Sequence, residues 1–301
     1  MFAINLALRP WPIGVAVGLT SLAAAALAAL LLLAEAGDAR ADARAAGPTI
    51  VSVNPCADAI LAEVADPAQV LAISHYSADP RSASMPADQA ARYRVTRGTV
   101  EAVLALHPDV VIDGSFIAPA TASAYQRLGL RLETVGTVNS LADARRQIRR
   151  LALIAGHPAR GEALIARIDA ALAAASPPPR AVPIRAVMWE TGGMVPGDNT
   201  LIAELMRRTG FANAAAARGY AQADILPLEQ MLADPPQVIF TAAATEGRMA
   251  DADRVLSHPA LASLGVVRRA AFAPNLLYCG GPTIIRAAGQ LAAVRTRMFG
   301  Q

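Results

Sequence analysis

Four histidines, two cysteines and a scatter of carboxylates and hydroxyls are the side chains in this sequence with chemistry to offer. His107, His157 and His258 each stand directly before proline, where they read as turn residues; His75 is the fourth. No HExxH spacing and no histidine cluster occurs, so the sequence predicts no resident metal. Ser115, in Asp113-Gly114-Ser115-Phe116, follows an apolar run but lacks the GxSxG frame of a hydrolase elbow. Gly192, Gly193 and Gly197 are out of dinucleotide-binding order and read as a loop that lets Asp198 or Asn199 cap a helix at Thr200. Lysine is absent, so all 27 basic residues are arginine. That removes the phosphate-loop lysine, the Schiff base and the lysine general base. No nucleophile, base and orienting group assemble, and the sequence predicts neither a catalytic residue nor a cofactor.

What remains is a set of polar and aromatic residues at one kind of place, the ends of short β-branched runs. His75 and Tyr76 follow one such run, Ser115 and Phe116 another, and Trp189 and Glu190 close a third; Tyr278 and Cys279 precede the last helical pattern. In open α/β sheets ligands bind outside the carboxyl ends of strands, so this distribution predicts a ligand cleft.

The elements that must position these residues alternate. Ile50 to Val53 is a strand, and Asn54 as N-cap with Pro55 at the first helical position opens a helix through Val64. Val70 to Ser74, Val110 to Ile112 and Arg131 to Val135 are further strands, followed by a helix that Ser140 and Asp143 open in capping-box style. Gly156-His157-Pro158 punctuates it, and a second helix carries Leu164, Ile165, Ile168 and Leu172 along one face before Ser176-Pro177-Pro178-Pro179 stops it. The pattern then repeats. Val103 to Ile112, a helix end, proline turn and buried strand, matches Met231 to Phe240, and Leu128-Gly129-Leu130-Arg131 matches Leu264-Gly265-Val266-Val267-Arg268. Two α/β lobes, residues 49–157 and 180–301, joined by a linker helix over 158–176, are the organisation expected.

The chain has 301 residues, 54% hydrophobic, 4% aromatic and 17% charged, with a net charge of +3. No basic run exceeds two residues, which argues against nucleic acid as a partner. Residues 11–34 are nearly all apolar, and Ala41-Asp42-Ala43 and Ala43-Arg44-Ala45 offer small-x-small cleavage sites. Residues 1–45 therefore read as an export signal, with an uncleaved membrane anchor as the alternative, and the expected location is the periplasm.

Across residues 49–298 the sequence resembles the periplasmic substrate-binding proteins of ABC importers, in the cobalamin and ferric-siderophore (Fe/B12, class III) branch. The likeness lies in Ile50-Val51-Ser52-Val53-Asn54-Pro55, in Ser74-His75-Tyr76-Ser77-Ala78-Asp79-Pro80, in the stretch from Gly98 to Ile112, in the turn to Phe211, and in Pro282-Thr283-Ile284-Ile285-Arg286-Ala287-Ala288. The resemblance implies an α/β fold of two Rossmann-like lobes with central parallel sheets, joined by a single long helix. It implies a non-catalytic receptor that takes a metal chelate, a ferric siderophore or a corrinoid, between the lobes and delivers it to a permease and ATPase complex of the inner membrane. Tyr76, Thr96, Arg97, Gly98, Trp189 and the stretch from Tyr278 to Gly281 would line the cleft, with Arg97 suited to an anionic or carbonyl-rich chelate. Glu101 would dock on a permease arginine, and a second-lobe glutamate is expected near Tyr278, where none stands. Cys56 and Cys279 read as two buried, inert thiols; a disulfide locking the lobes stays open if their Cα atoms lie within about 7 Å, as does a redox or soft-metal role. The alternatives are a bilobal chelate-handling enzyme or sensor, and a haem-binding receptor.

Overall fold

The computed structural model describes residues 47–242, 258–265 and 267–300. The signal segment expected over residues 1–45 lies outside them. No helix among the described residues is long and apolar enough to cross a membrane.

Strand β1 (Ile50–Ser52) leads to helix α1 (Pro55–Val64), whose entry is fixed locally: the Asn54 side chain accepts from the amides of Cys56 (3.0 Å) and Ala57 (3.1 Å). Such a cap is worth about 1 kcal/mol. Then come β2 (Val70–Ser74), a short turn of 3-10 helix (His75–Ala78), α2 (Ala87–Ala90), β3 (Val95–Thr96), α3 (Val100–Leu104), β4 (Val110–Gly114), α4 (Pro119–Arg127) and β5 (Arg131–Val135). Helix α5 (Leu141–Ile154) begins at Ser140, whose hydroxyl accepts from the Asp143 amide, and α6 (Pro158–Ala174) follows. At 17 residues α6 spans about 25 Å.

The second half runs β6 (Ile184–Trp189), β7 (Met194–Val195), α7 (Leu201–Arg208), β8 (Phe211–Asn213), β9 (Asp224–Ile225), α8 (Leu228–Ala233), β10 (Val238–Thr241), α9 (Pro259–Ala262), β11 (Arg268–Ala271) and α10 (Thr283–Phe299). Helix α7 is capped by Thr200 itself, whose hydroxyl accepts from the Ala203 amide, not by Asp198 or Asn199. Thr200 has extended backbone and sits one residue ahead of the helix, the position from which a short hydroxyl reaches the third amide.

Two parallel sheets result, ordered β3-β2-β1-β4-β5 and β11-β10-β6-β8. The order β5-β4-β1-β2 of the first is that of β11-β10-β6-β8 in the second. The sequence repeat falls on equivalent pairings, Val110 opposite Arg131 and Val238 opposite Arg268. β7 and β9 form a small antiparallel ribbon. The fold is thus α/β with two sheets of one topology.

Alternation along the strands sets the layers. Ile50 and Ile112 on the first sheet, and Ala186, Met188 and Phe240 on the second, belong to one continuous core built on Ile60, Ile148, Leu164, Ile168, Leu205, Ile284 and Leu291 of helices α1, α5, α6, α7 and α10. Val51 and Val111 face a separate outer layer, and Val187, Trp189 and Ile239 another. Burial on both faces is why these strands read as unbroken apolar runs. The Arg295 guanidinium of α10 is buried and donates to the carbonyls of Ala175, Thr209 and Ser176. It satisfies backbone acceptors left open at the ends of α6 and α7.

Candidate ligand-binding site

The carboxyl ends of the first sheet carry three groups. After β2 the chain makes the His75–Ala78 turn, in which the His75 and Tyr76 rings lie 4.1 Å apart between centroids and Tyr76 is 52% exposed. After β3, Gly98 adopts φ +75 and lies so close to β1 that a Cβ would sit 2.9 Å from Val53 Cγ1. Its carbonyl accepts from the Tyr125 hydroxyl (3.2 Å). That turn buries Thr96, whose hydroxyl accepts from the Gly98 amide (3.1 Å), and leaves Arg97 exposed. After β4, the Ser115 amide donates to the Val135 carbonyl (2.9 Å), and Phe116 is 89% exposed.

In the second lobe Glu190 follows β6, its amide bonded to the Met194 carbonyl (2.8 Å). Its carboxylate is buried and accepts from the hydroxyl of Tyr278, itself 62% exposed. Burial raises the Glu190 carboxyl, and the Tyr278 hydroxyl partly offsets this; burial and the neighbouring carboxylate also push the Tyr278 phenol well up.

Four of the nominated residues are buried: Trp189, Thr96, Glu190 and Cys279. Trp189 is 1% exposed, packed in the outer layer of the second sheet with Val187 and Ile239. The strand is still regular at its last residue, and side-chain alternation turns the indole into that layer. Thr96 is buried because it serves its own turn.

The reading of the cysteines is corrected. Cys56 and Cys279 are not inert thiols but a disulfide, with Cα atoms 5.0 Å apart. Their closeness depends on small residues. A Cβ on Gly280 would sit 2.5 Å from Val138 Cγ1, and one on Gly281 would sit 2.6 Å from Ile60 Cγ1, so the backbone before α10 lies directly on the first lobe. Around this seam Asn275 donates to the Ala83 carbonyl (2.9 Å), Thr283 to the Ser84 carbonyl (3.2 Å), and the Leu141 amide to Glu204 Oε2 (2.8 Å).

Sequence reading passed over two features. One is a cavity of about 230 Å³ beyond β5, lined by Gly136, Thr137, Val138, Gln147, Arg146 and Arg150 among others. Its arginines read as surface helix residues until β5 and α5 pack together. The other is Glu229. Glu101 lies in the first turn of α3, nine residues before β4 (101 to 110), and Glu229 in the first turn of α8, nine before β10 (229 to 238). Both are exposed. The repeat already visible in the sequence would have found it.

A family model described as periplasmic binding protein matches residues 50–270. The chain belongs to the periplasmic binding protein family. No curated protein matches it in sequence. Solved structures of similar fold include the periplasmic heme-binding protein RhuT of Roseiflexus sp. RS-1 in apo form, at 23% identity and TM-score 0.65, over 82% of this chain and 97% of that one. A periplasmic heme-binding protein of Pseudomonas aeruginosa is similar at 22% identity and TM-score 0.65, over 82% and 92%. The periplasmic vitamin B12 binding protein BtuF of Vibrio cholerae is similar at 19% identity and TM-score 0.59, over 84% and 98%. These likenesses establish the two-lobed fold of this periplasmic binding protein, with helix α6 standing in sequence between the two sheets.

Proposed function

We propose that this periplasmic binding protein captures a metal chelate, a ferric siderophore or a corrinoid, between its lobes in the periplasm and hands it to an ABC permease of the inner membrane. The observation that carries the reading is the exposure of Tyr76 and Phe116 beyond strand ends and of Tyr278 ahead of α10, in a chain that spends only 4% of its residues on aromatics. Large rings left in solvent favour a ligand with an extended apolar face. Arg97, Ser115 and the Glu190–Tyr278 pair add polar contacts of both signs for its periphery.

Haem is the second reading, favoured by the adjacent His75 and Tyr76 rings, a nitrogen and an oxygen donor of the kinds that hold haem iron. Glu101 and Glu229 are the proposed permease contacts, one carboxylate per lobe in equivalent places. Titration of protein lacking residues 1–45 with hemin, cyanocobalamin and ferric siderophores, followed by fluorescence of Trp189 and by calorimetry, tests the reading. Micromolar or tighter binding of one class is expected, and no binding of any removes it.

A further inference from the structure

Helix α1 carries a carboxylate that neither caps the helix nor pairs with a charged side chain among the described residues. Asp58 is fully buried. Its Oδ2 accepts from the Ser74 amide (2.9 Å) and from the Ser77 hydroxyl (2.6 Å), while Oδ1 has no hydrogen-bond partner. Burial pushes its carboxyl from the ordinary 3.8 up to about 7, against the opposing influence of the nearby Ser52 and Ser77 hydroxyls and the Ser74 amide. An apolar side chain in this place would carry no such desolvation cost.

An apolar side chain would also hold nothing. Ser74 and Ser77 stand on either side of His75 and Tyr76, and Ser74 closes the turn from within by accepting the Tyr76 amide on its hydroxyl (3.3 Å). One carboxylate oxygen thus grips the turn at both ends, through a backbone amide and a buried hydroxyl. We propose that Asp58 is the positioning residue for Tyr76, holding the His75–Ala78 turn so that the ring stands ready at the ligand site. Two residues earlier on the same helix, Cys56 is bonded to Cys279, the neighbour of Tyr278. A single helical turn therefore sets the place of an exposed tyrosine from each lobe. The role of the ring rests on the haem reading; the grip on the turn belongs to the free protein.

The test separates the two. Amide hydrogen exchange over residues 74–78 is measured on the ligand-free protein, and hemin binding on the same preparations, for wild type, Ser77→Ala, Asp58→Ala and Asp58→Asn. At pH 8, where the Asp58 carboxyl is ionised, losing a hydrogen bond to it is worth about a tenfold change or more. Ser77→Ala and Asp58→Ala should speed exchange in the turn by about that factor and weaken hemin by a similar one. Asp58→Asn, which keeps an acceptor oxygen, should recover most of both. Should Asp58→Ala fail to fold, Ser77→Ala decides. Unchanged exchange in Ser77→Ala overturns the proposal, and so does faster exchange with unaltered hemin affinity. If wild type itself does not bind hemin, the haem reading falls and the exchange arm alone decides the grip.

Discussion

Cys56 in the first turn of α1 and Cys279 just before α10 are joined by a disulfide across 223 residues of sequence. The bond ties the beginning of one lobe to the end of the other at the point where Gly280 and Gly281 lie against Val138 and Ile60.

Because the loop closed is long, the disulfide restricts the unfolded chain strongly. Cys56→Ser with Cys279→Ser, or reduction of the native protein, should lower unfolding free energy by about 2–5 kcal/mol. Urea unfolding with and without a dithiol reductant measures it, and an unchanged midpoint would show the link to be passive.

Gly280→Ala and Gly281→Ala probe the same seam by packing. The new methyl would overlap Val138 or Ile60. Overpacking of this kind costs about 1–3 kcal/mol. The alanine at 280 should also reduce ligand affinity, since it shifts the backbone two residues from Tyr278. Thermal unfolding and the ligand titration together read the two effects.

Asp58 makes stability fall with rising pH. Its folded carboxyl sits near 7 and the unfolded one near 3.8, so the folded state holds the proton more tightly. The protonated form contributes fully below about 4, and the contribution is lost as pH rises through about 7. Asp58→Asn should match wild type near pH 4 and exceed it at pH 8 by a few kcal/mol. Denaturation at the two pH values checks the sign.

Tyr278→Phe removes the donor to a buried carboxylate. The Glu190 carboxyl should rise further, and the protein should lose about 1–3 kcal/mol at neutral pH. Glu190→Gln, which still accepts from Tyr278, should cost less. Both variants should alter ligand affinity if the pair contacts ligand.

Charge reversal at Glu101 or Glu229 should leave ligand affinity and unfolding unchanged, because both side chains are exposed. In proteoliposomes holding the partner permease, each reversal should reduce transport. Normal transport by the double variant would place docking elsewhere.

How much of this was legible beforehand differs by element. The entry to α1 was, since Asn54-Pro55 is a local instruction: a side-chain acceptor and a fixed φ act within three residues. The two-lobed repeat was too, because equivalent strands need equivalent turns, and Val110 and Val238 head matching segments. The Thr200 cap was misplaced by two residues at most, since neighbouring polar side chains compete for one helix start and only backbone geometry chooses.

Trp189 and the cysteines mark where sequence reading stops. Both faces of a parallel strand are covered, so the apolar pattern does not say which face a terminal aromatic takes; the register of β6 against β10 turned it into the outer layer. Cys56 and Cys279 have no local relation at all. By itself the sequence determined the kind of the principal strands and helices it named, the repeat and the family, because caps, turns and periodicity act over a few residues. The tertiary structure alone decided the disulfide, the grip of Asp58 on the Tyr76 turn and the pairing of Glu190 with Tyr278. Each joins residues that meet only when α1, β2, β6 and the approach to α10 pack together, and that meeting is set by summed burial over the whole core, which no local pattern records.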